Sequence, residues 1–527
     1  MVSIFNGTDT AHEQTTTELN GQFLHSQLLI DCLVRMKSIA TDKNELVSLC
    51  KEQYKKHTAE LKNVHEFEQH YSSDEALRWY TRPSFAYRVL NKALRTQNIE
   101  LLFLFRFFIH DIERQLEQHR SLSPLRIYRG QLMSTDELKL LQNSVGKFIS
   151  INSFFSTTAN RDVALFFLGD SAANDDLQRV LFEIDADPSF DGIKPFANIT
   201  SLSYYPDEEE VLMMIGSIFR LINIHYEGDR IWKVRMKLCS DNDHDLKLIN
   251  DYMKHEYFGL KKPSLGQLGN LLIGMGKFDD AEKYYRRLLK ELPDDHQDIA
   301  PCYCGLGIVA FNKGNYDLSL DRHCQALKIF QRTLGSNHPH LADSHNCIGS
   351  SYQRKGKYKQ ALKSYKNALV IYQEAFGDDH QDLAICFSNM GNIYHEEKKY
   401  SKALTCHQKA LNMWQKYLPA DHPHLGSTHN NLANVHYSLG QYNYALQHYN
   451  RSLEIKSKSL PSQHPSIAST FKNISDVYEH IGELQQALSY LKQAAAIYGH
   501  TLPSNHPYAI GIKKDIQRVA SQRHSRR

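Results

Sequence analysis

Two sets of residues in this 527-residue chain have types and spacings that could do chemistry. The first is a series of histidines, His296, His338, His380, His422, His464 and His506, each 42 residues after the last. Such a row invites a metal reading. However, ligands of one ion lie about 2.0–2.1 Å from it, whereas stacked helices sit roughly 8–10 Å apart between axes. Histidines in a single row along such a stack cannot share an ion, and a structural turn residue is the better reading. The nine cysteines contain no CxxC pair; Cys302 and Cys304 form only a CxC, with no second pair at zinc-site spacing. The second set is three short polar pieces. They are Tyr128-Arg129-Gly130, Phe154-Phe155-Ser156-Thr157-Thr158, and Asp207-Glu208-Glu209-Glu210-Val211-Leu212 after Tyr204-Tyr205-Pro206. Taken singly, an arginine at a strand edge is half of a surface ion pair, a Ser/Thr cluster is a turn, and an acidic run is a solvated loop.

Together, in this order and each at the margin of an expected strand, the three pieces resemble the Arg–Ser–Glu-x-Glu class of mono-ADP-ribosyltransferases. The resemblance spans roughly residues 76–238 and includes Trp79-Tyr80-Thr81 and the Asn91…Leu94-Arg95 helix. It implies an α+β domain in which a pair of β-sheets forms an NAD cleft behind a helical lobe. No G-x-G-x-x-G is present, so a Rossmann-type NAD site is not indicated. Transfer from NAD breaks a glycosidic bond through an oxocarbenium-like state, and carboxylates serve such centres. By the family's pattern Glu210 holds the ribose hydroxyl and stabilises that charge. Glu208 orients and helps deprotonate an acceptor guanidinium. A family variant with Gln at this place modifies other side chains, so Glu208 argues for arginine. Arg129 clamps the phosphates as a planar fork donor, the Gly130 backbone contacts the nicotinamide amide, and Ser156 positions the ribose and the active glutamate. Phe166 or Phe167 stacks on nicotinamide or packs in the core. The family's Ser-Thr-Ser is Ser-Thr-Thr here, ending on Thr158. Asp207 and Glu209 also fit an acidic-x-Glu spacing, while the following Val211-Leu212 favours Glu208 and Glu210. Glu208 and Glu210 are expected on the same side of an extended segment.

The elements that must position these groups follow from periodicity. Residues 23–36, 43–55 and 84–95 carry apolar side chains at helical spacing. The apolar run 101–109, interrupted by Arg106, is far short of the roughly 20 residues of a membrane span and reads as a buried helix. From Leu125 the pattern turns strand-like, at 126–131, 147–155, 180–184, 211–226 (broken at Gly216) and 231–238. The last two are joined by a Glu227-Gly228-Asp229-Arg230 hairpin.

The second half repeats. Turn glycines Gly314, Gly356, Gly440 and Gly482 keep the 42-residue step, with Lys398 in the missing place. Small residues Ser319, Ala361, Ala403, Ala445 and Ala487 follow at the same interval, which lets paired helices approach closely. An earlier copy, with Gly276 and Ala281, is four residues short. Each unit reads as helix, turn, helix, and the pattern resembles a tetratricopeptide solenoid of the kinesin-light-chain type. Six repeats and a capping helix from about Pro507 are expected. Such a stack offers a long concave surface for a protein or peptide, with catalysis elsewhere.

The expected domains are a helical extension at 1–60, the transferase at 61–240, a linker at 241–263, the solenoid at 264–519 and a basic tail at 520–527. With 62 basic against 59 acidic residues there is no general nucleic-acid surface, and neither a membrane span nor a signal segment is visible. Unpaired thiols suit a cytoplasmic protein. The resulting expectation is an NAD-dependent protein-arginine ADP-ribosyltransferase, without a metal, whose repeats dock substrates or partners. The alternatives are an inactive repeat adaptor and an NAD glycohydrolase.

Overall fold

The computed structural model describes residues 2–5, 17–36, 40–169, 177–227, 231–240, 247–258, 263–293, 295–460, 462, 464–501 and 507–525. The chain divides into two compact units, Met1–Pro263 and Ser264–Arg527.

The first unit begins with strand β1 (Val2–Phe5), where the sequence suggested only helix. Helices α1 (Thr17–Arg35), α2 (Ala40–Gln53), α3 (Thr58–His70), α4 (Ala76–Thr81), α5 (Phe85–Thr96), α6 (Ile99–Leu104) and α7 (Arg106–Gln118) follow. Their lobe closes around Phe67, which meets Trp79, Phe85 and Phe108 edge-on at 5.1, 5.3 and 6.0 Å. The expected buried helix at 101–109 is broken at Phe105 into α6 and α7. Arg106 does not leave the core: it pairs with Asp42 at 2.6 Å, both nearly inaccessible, and lies over the Phe103 ring at 3.7 Å.

The sheet comprises β2 (Leu125–Ser134), β3 (Phe148–Ile151), β4 (Phe155–Thr158), β5 (Leu177–Ala186), β6 (Phe196–Asn198), β7 (Glu210–Met213), β8 (Ser217–Glu227) and β9 (Ile231–Cys239), together with β1. Short helices α8 (Thr135–Gln142) and α9 (Arg161–Leu168) interrupt it, and α10 (Lys247–Phe258) follows. The strand order is β1-β3-β8-β9-β5-β2-β4-β7-β6. The expected pair of sheets is therefore one hydrogen-bonded series, but its two parts meet only at the Tyr128–Thr158 pairing of β2 with β4. Gly216, at φ +74°, ends β7 before β8, as the sequence suggested. The tip of the β8–β9 hairpin, residues 228–230, lies outside the described residues. Within 241–263, expected as a linker, α10 ties back to α1 through Lys254 and Asp31 at 2.7 Å.

The second unit is a run of paired helices: α11 (Leu265–Gly274) with α12 (Phe278–Glu291), α13 (Ile299–Asn312) with α14 (Tyr316–Thr333), and α15 (Pro339–Arg354) with α16 (Tyr358–Phe376). It continues through α17 (Leu383–Glu396) with α18 (Tyr400–Tyr417), α19 (Pro423–Ser438) with α20 (Tyr442–Ser459), and α21 (Pro465–His480) with α22 (Leu484–Thr501), then α23 (Pro507–Ser525). The small residues Ala281, Ser319, Ala361, Ala403, Ala445 and Ala487 are all fully buried. The turn glycines take positive φ, and Lys398 adopts the same left-handed conformation at φ +60°. Helix α23 runs on to Ser525, so most of the expected basic tail is helical. Among the described residues no helix is long and apolar enough to cross a membrane.

Candidate active site

Arg129 and Gly130 sit near the middle of β2, paired with Phe182 and Leu181 of β5. Arg129 lies over the Phe155 ring at 5.1 Å, donates through Nη1 to the Ser156 carbonyl at 2.6 Å, and through Nε to Gln131 Oε1 at 3.1 Å. These contacts hold the guanidinium at the junction of the two sheet parts. Its pKa is drawn below the ordinary arginine range by burial, against the opposing pull of Tyr87, Tyr80 and Glu210. Gly130 has a packing reason of its own. A Cβ there would collide with the Ala164 carbonyl oxygen and come within 2.7 Å of Leu168 Cγ, because α9 lies directly on β2.

Ser156 lies on β4, and β4 pairs with β7 so that Thr158 stands opposite Glu210. Thr157 turns the other way and donates to the Val211 carbonyl at 2.7 Å. Glu210 opens β7 and is only 6% exposed. Burial raises its carboxyl pKa; hydrogen bonds from Ser156 and Ser203 and the charge of Arg129 oppose that rise. The Ser203 hydroxyl donates to Glu210 Oε2 at 3.2 Å. Glu208 is partly buried, and burial raises its carboxyl as well.

The expected extended Glu208–Glu210 segment is not found. Pro206–Glu208 forms a 3-10 turn, and Glu209 takes the left-handed conformation at φ +46°. Both outer carboxylates still reach one cavity of about 330 Å³, brought there by the turn rather than by strand alternation. Glu209 is exposed and is not in the cavity wall. The wall joins Arg129, Gly130, Ser156, Phe167, Glu208 and Glu210 with Tyr87, Thr157 and Thr158. Phe166 is 81% exposed and does not line the cavity; Phe167 does, at 58% exposure. Neither phenylalanine is a core residue. Tyr87 and Ser203 had no place in the sequence reading, since their approach depends on the fold and not on any local motif.

The periodic histidines sit at helix starts: His338, His422 and His464 are the N-caps of α15, α19 and α21, and His296 and His380 stand two residues before the N-caps Asp298 and Asp382 of α13 and α17. The Nδ1 atoms of His296, His338, His380, His422 and His464 accept the backbone N–H two residues on, at 3.1–3.3 Å. His506 lies outside the described residues. A second period, missed in the sequence, packs the two helices of the first four pairs. Tyr285, His323, Tyr365 and His407 lay their rings on Gly269, Gly307, Gly349 and Gly391, where a Cβ would overlap them. Among the described residues no group of three or more His, Cys, Asp or Glu is placed to hold a metal ion.

Residues 35–244 match the family described as NAD:arginine ADP-ribosyltransferase, and residues 263–332, 340–416, 387–458 and 424–499 match the tetratricopeptide repeat. The chain is similar to a putative kinesin light chain of Podosopora anserina, at 21% identity over 39% of this chain and 98% of that one, with a TM-score of 0.30. It is also similar to BtubC of P. vanneervenii, at 22% identity over 43% and 90%, with a TM-score of 0.33. A third similar structure is the Vis toxin, an ADP-ribosyltransferase from Vibrio splendidus, at 20% identity over 41% and 93%, with a TM-score of 0.27. The family match marks residues 35–244 as an ADP-ribosyltransferase domain, of a family that uses NAD as substrate. This chain joins that domain to a tetratricopeptide solenoid, a protein-interaction scaffold.

Proposed function

We propose that this protein transfers ADP-ribose from NAD to arginine side chains of other proteins, releasing nicotinamide, and that its repeats dock the substrate or a partner. The observation that carries this reading is the convergence of Arg129, Ser156, Glu208 and Glu210 on one cavity. NAD supplies the glycosidic bond that breaks. Arg129 offers fork donors for its phosphates, and the backbone of Gly130 offers polar groups to the nicotinamide amide. Glu210, held by two serine hydroxyls, provides fixed negative charge where the ribose turns cationic. Glu208 lies two residues away at the same wall, where it can orient an incoming guanidinium and accept its proton. Phe167 presents an aromatic face to the cavity and is the better of the two phenylalanines for stacking on nicotinamide.

In the solenoid, a cavity of about 790 Å³ is lined by Asn389, Asn392, Asn431, Asn434 and Asn473 among other polar side chains. Such amides suit the main chain of an extended peptide. All nine cysteines are free thiols, which supports a cytoplasmic setting.

The test is to incubate the full chain with labelled NAD and agmatine, a small guanidine acceptor. Label on agmatine supports arginine transfer. Nicotinamide release without transfer identifies a glycohydrolase, and no turnover leaves a binding adaptor.

A further inference from the structure

The loop that presents Glu208 is held from outside the sheet. Helix α4 ends at Thr81, whose hydroxyl donates to the Leu77 carbonyl at 3.0 Å. That leaves its lone pairs free, and one accepts the backbone N–H of Tyr204 at 2.8 Å, across 123 residues of sequence. The next residue, Arg82, is fixed by a two-pronged ion pair on Glu66 of α3, at 2.7 and 2.8 Å. Its guanidinium lies over the rings of both Trp79 and Tyr204, at 5.1 and 6.0 Å. The helical lobe thus grips Tyr204 twice, by its main chain and by its ring.

The grip falls at a division in the loop. Ser203 and the residues before it are secured to the sheet side: the Ser203 N–H donates to the Ile199 carbonyl at 2.7 Å, and its hydroxyl to Glu210. Glu210 itself belongs to β7. Beyond Tyr204, the ties are the Tyr205 N–H on Ser203 Oγ at 3.2 Å, the Glu208 N–H on the Tyr205 carbonyl at 3.3 Å and the Ala159 N–H on the Glu209 carbonyl at 3.4 Å. The segment carrying Glu208 is therefore held from the sheet side at Ser203 and Glu209 and from the helical lobe at Tyr204, whereas Glu210 has no tie to that lobe through the loop.

We propose that Thr81, with Arg82 beside it, is a positioning residue that latches the acceptor-side loop to the helical lobe and so sets where Glu208 meets the guanidine substrate. The inference rests on the arginine-transfer reading above for its consequence, though not for its geometry. Losing the latch leaves donor-side chemistry at Glu210 in place and removes the helical lobe's hold on the Glu208 segment, which then keeps only its ties to Ser203 and Ala159. Because both grips come from α3 and α4, acceptor choice is tunable by changes in the helical lobe that touch neither NAD nor the strands.

The experiment compares wild type, Thr81→Val and Thr81→Ser in the full chain. Valine keeps the shape but removes the acceptor for the Tyr204 N–H, and serine restores it. For Thr81→Val the KM for agmatine rises about tenfold, the size of one lost hydrogen bond. Nicotinamide release into water and the KM for NAD stay within about twofold, and Thr81→Ser recovers the wild-type values. Equal loss of transfer and hydrolysis, or an unchanged KM for agmatine, overturns the proposal. Hydrogen exchange at the Tyr204–Glu208 amides is read in parallel. Faster exchange in Thr81→Val supports the latch and unchanged exchange overturns it. Should the wild type turn over no agmatine, the arginine reading fails, and the exchange measurement still decides the latch.

Discussion

Both units bury ionisable side chains, to opposite ends. In the transferase unit the buried Glu210 is met by two hydroxyls and by the charge of Arg129, and all border a cavity. In the repeats His323 and His407 are each 1% exposed and lie flat on glycines of the paired helix. Nδ1 of His323 and both ring nitrogens of His407 have no hydrogen-bond partner. Burial holds each of these imidazoles down to about 4, and Lys456, between α20 and α21, down to about 7. A displaced pKa therefore marks burial in both units. What distinguishes the candidate active site is the convergence of unlike charges on accessible space.

The largest effect on either unit is expected at Gly130. Gly130→Val drives a side chain into the backbone of α9, and it should cost about 3 kcal/mol or more in the unfolding of the first unit. Chemical denaturation followed separately for the two units checks this, with the repeats unaffected.

Acid should weaken the repeats through His323 and His407. Their folded pKa values lie below the unfolded value, so the unfolded chain binds more protons as pH falls from about 6.5 towards 4. Stability is complete above pH 6.5 and declines below it, by about 2–3 kcal/mol per histidine on going from pH 7 to 4.5. His407→Tyr places there the residue that sister pairs use, so the difference in its pH–stability profile isolates one histidine. An identical profile would count against the burial account.

Tyr365 donates to or shares hydrogen bonds with Ser350 and Gln353 at 3.1 and 3.0 Å. Tyr365→Phe should cost about 1 kcal/mol of repeat stability and leave transfer untouched.

The smallest effect sets two left-handed residues side by side. Lys398→Gly should raise repeat stability by up to about 1 kcal/mol, since glycine adopts that turn without strain. Glu209→Gly relieves the same backbone but loosens the link between Glu208 and Glu210, so it should lower agmatine transfer several-fold (on the order of 1 kcal/mol). Equal activity in Glu209→Gly would show that the turn has no part in the site.

The solenoid was legible in the sequence because each unit must bury the same small residue and make the same turn, so the constraint is written again every 42 residues. Even Lys398 kept the glycine's conformation. The aromatic–histidine alternation on the facing glycines escaped notice because two residue types share one packing role. In the transferase unit, strand alternation exposed most of β2 to β9. The first strand was hidden, since β1 exists only through pairing with β3, some 145 residues away. Arg129, Ser156, Glu208 and Glu210 were singled out through a resemblance among three distant pieces, and the fold brings them to one cavity. Tyr87 and Ser203 were not, and Thr81 stood out only within Trp79-Tyr80-Thr81, since a hydrogen bond across 123 residues to Tyr204 leaves no local pattern.

The central claim is that two carboxylates at one cavity divide the reaction, Glu210 serving the donor and Glu208 the acceptor. The most direct measurement follows nicotinamide release and agmatine labelling together in wild type, Glu208→Gln and Glu210→Gln. Glu208→Gln should lose transfer on the order of 10²–10³-fold while still releasing nicotinamide, and Glu210→Gln should lose both. Full transfer by Glu208→Gln, or undiminished nicotinamide release by Glu210→Gln, would contradict the account.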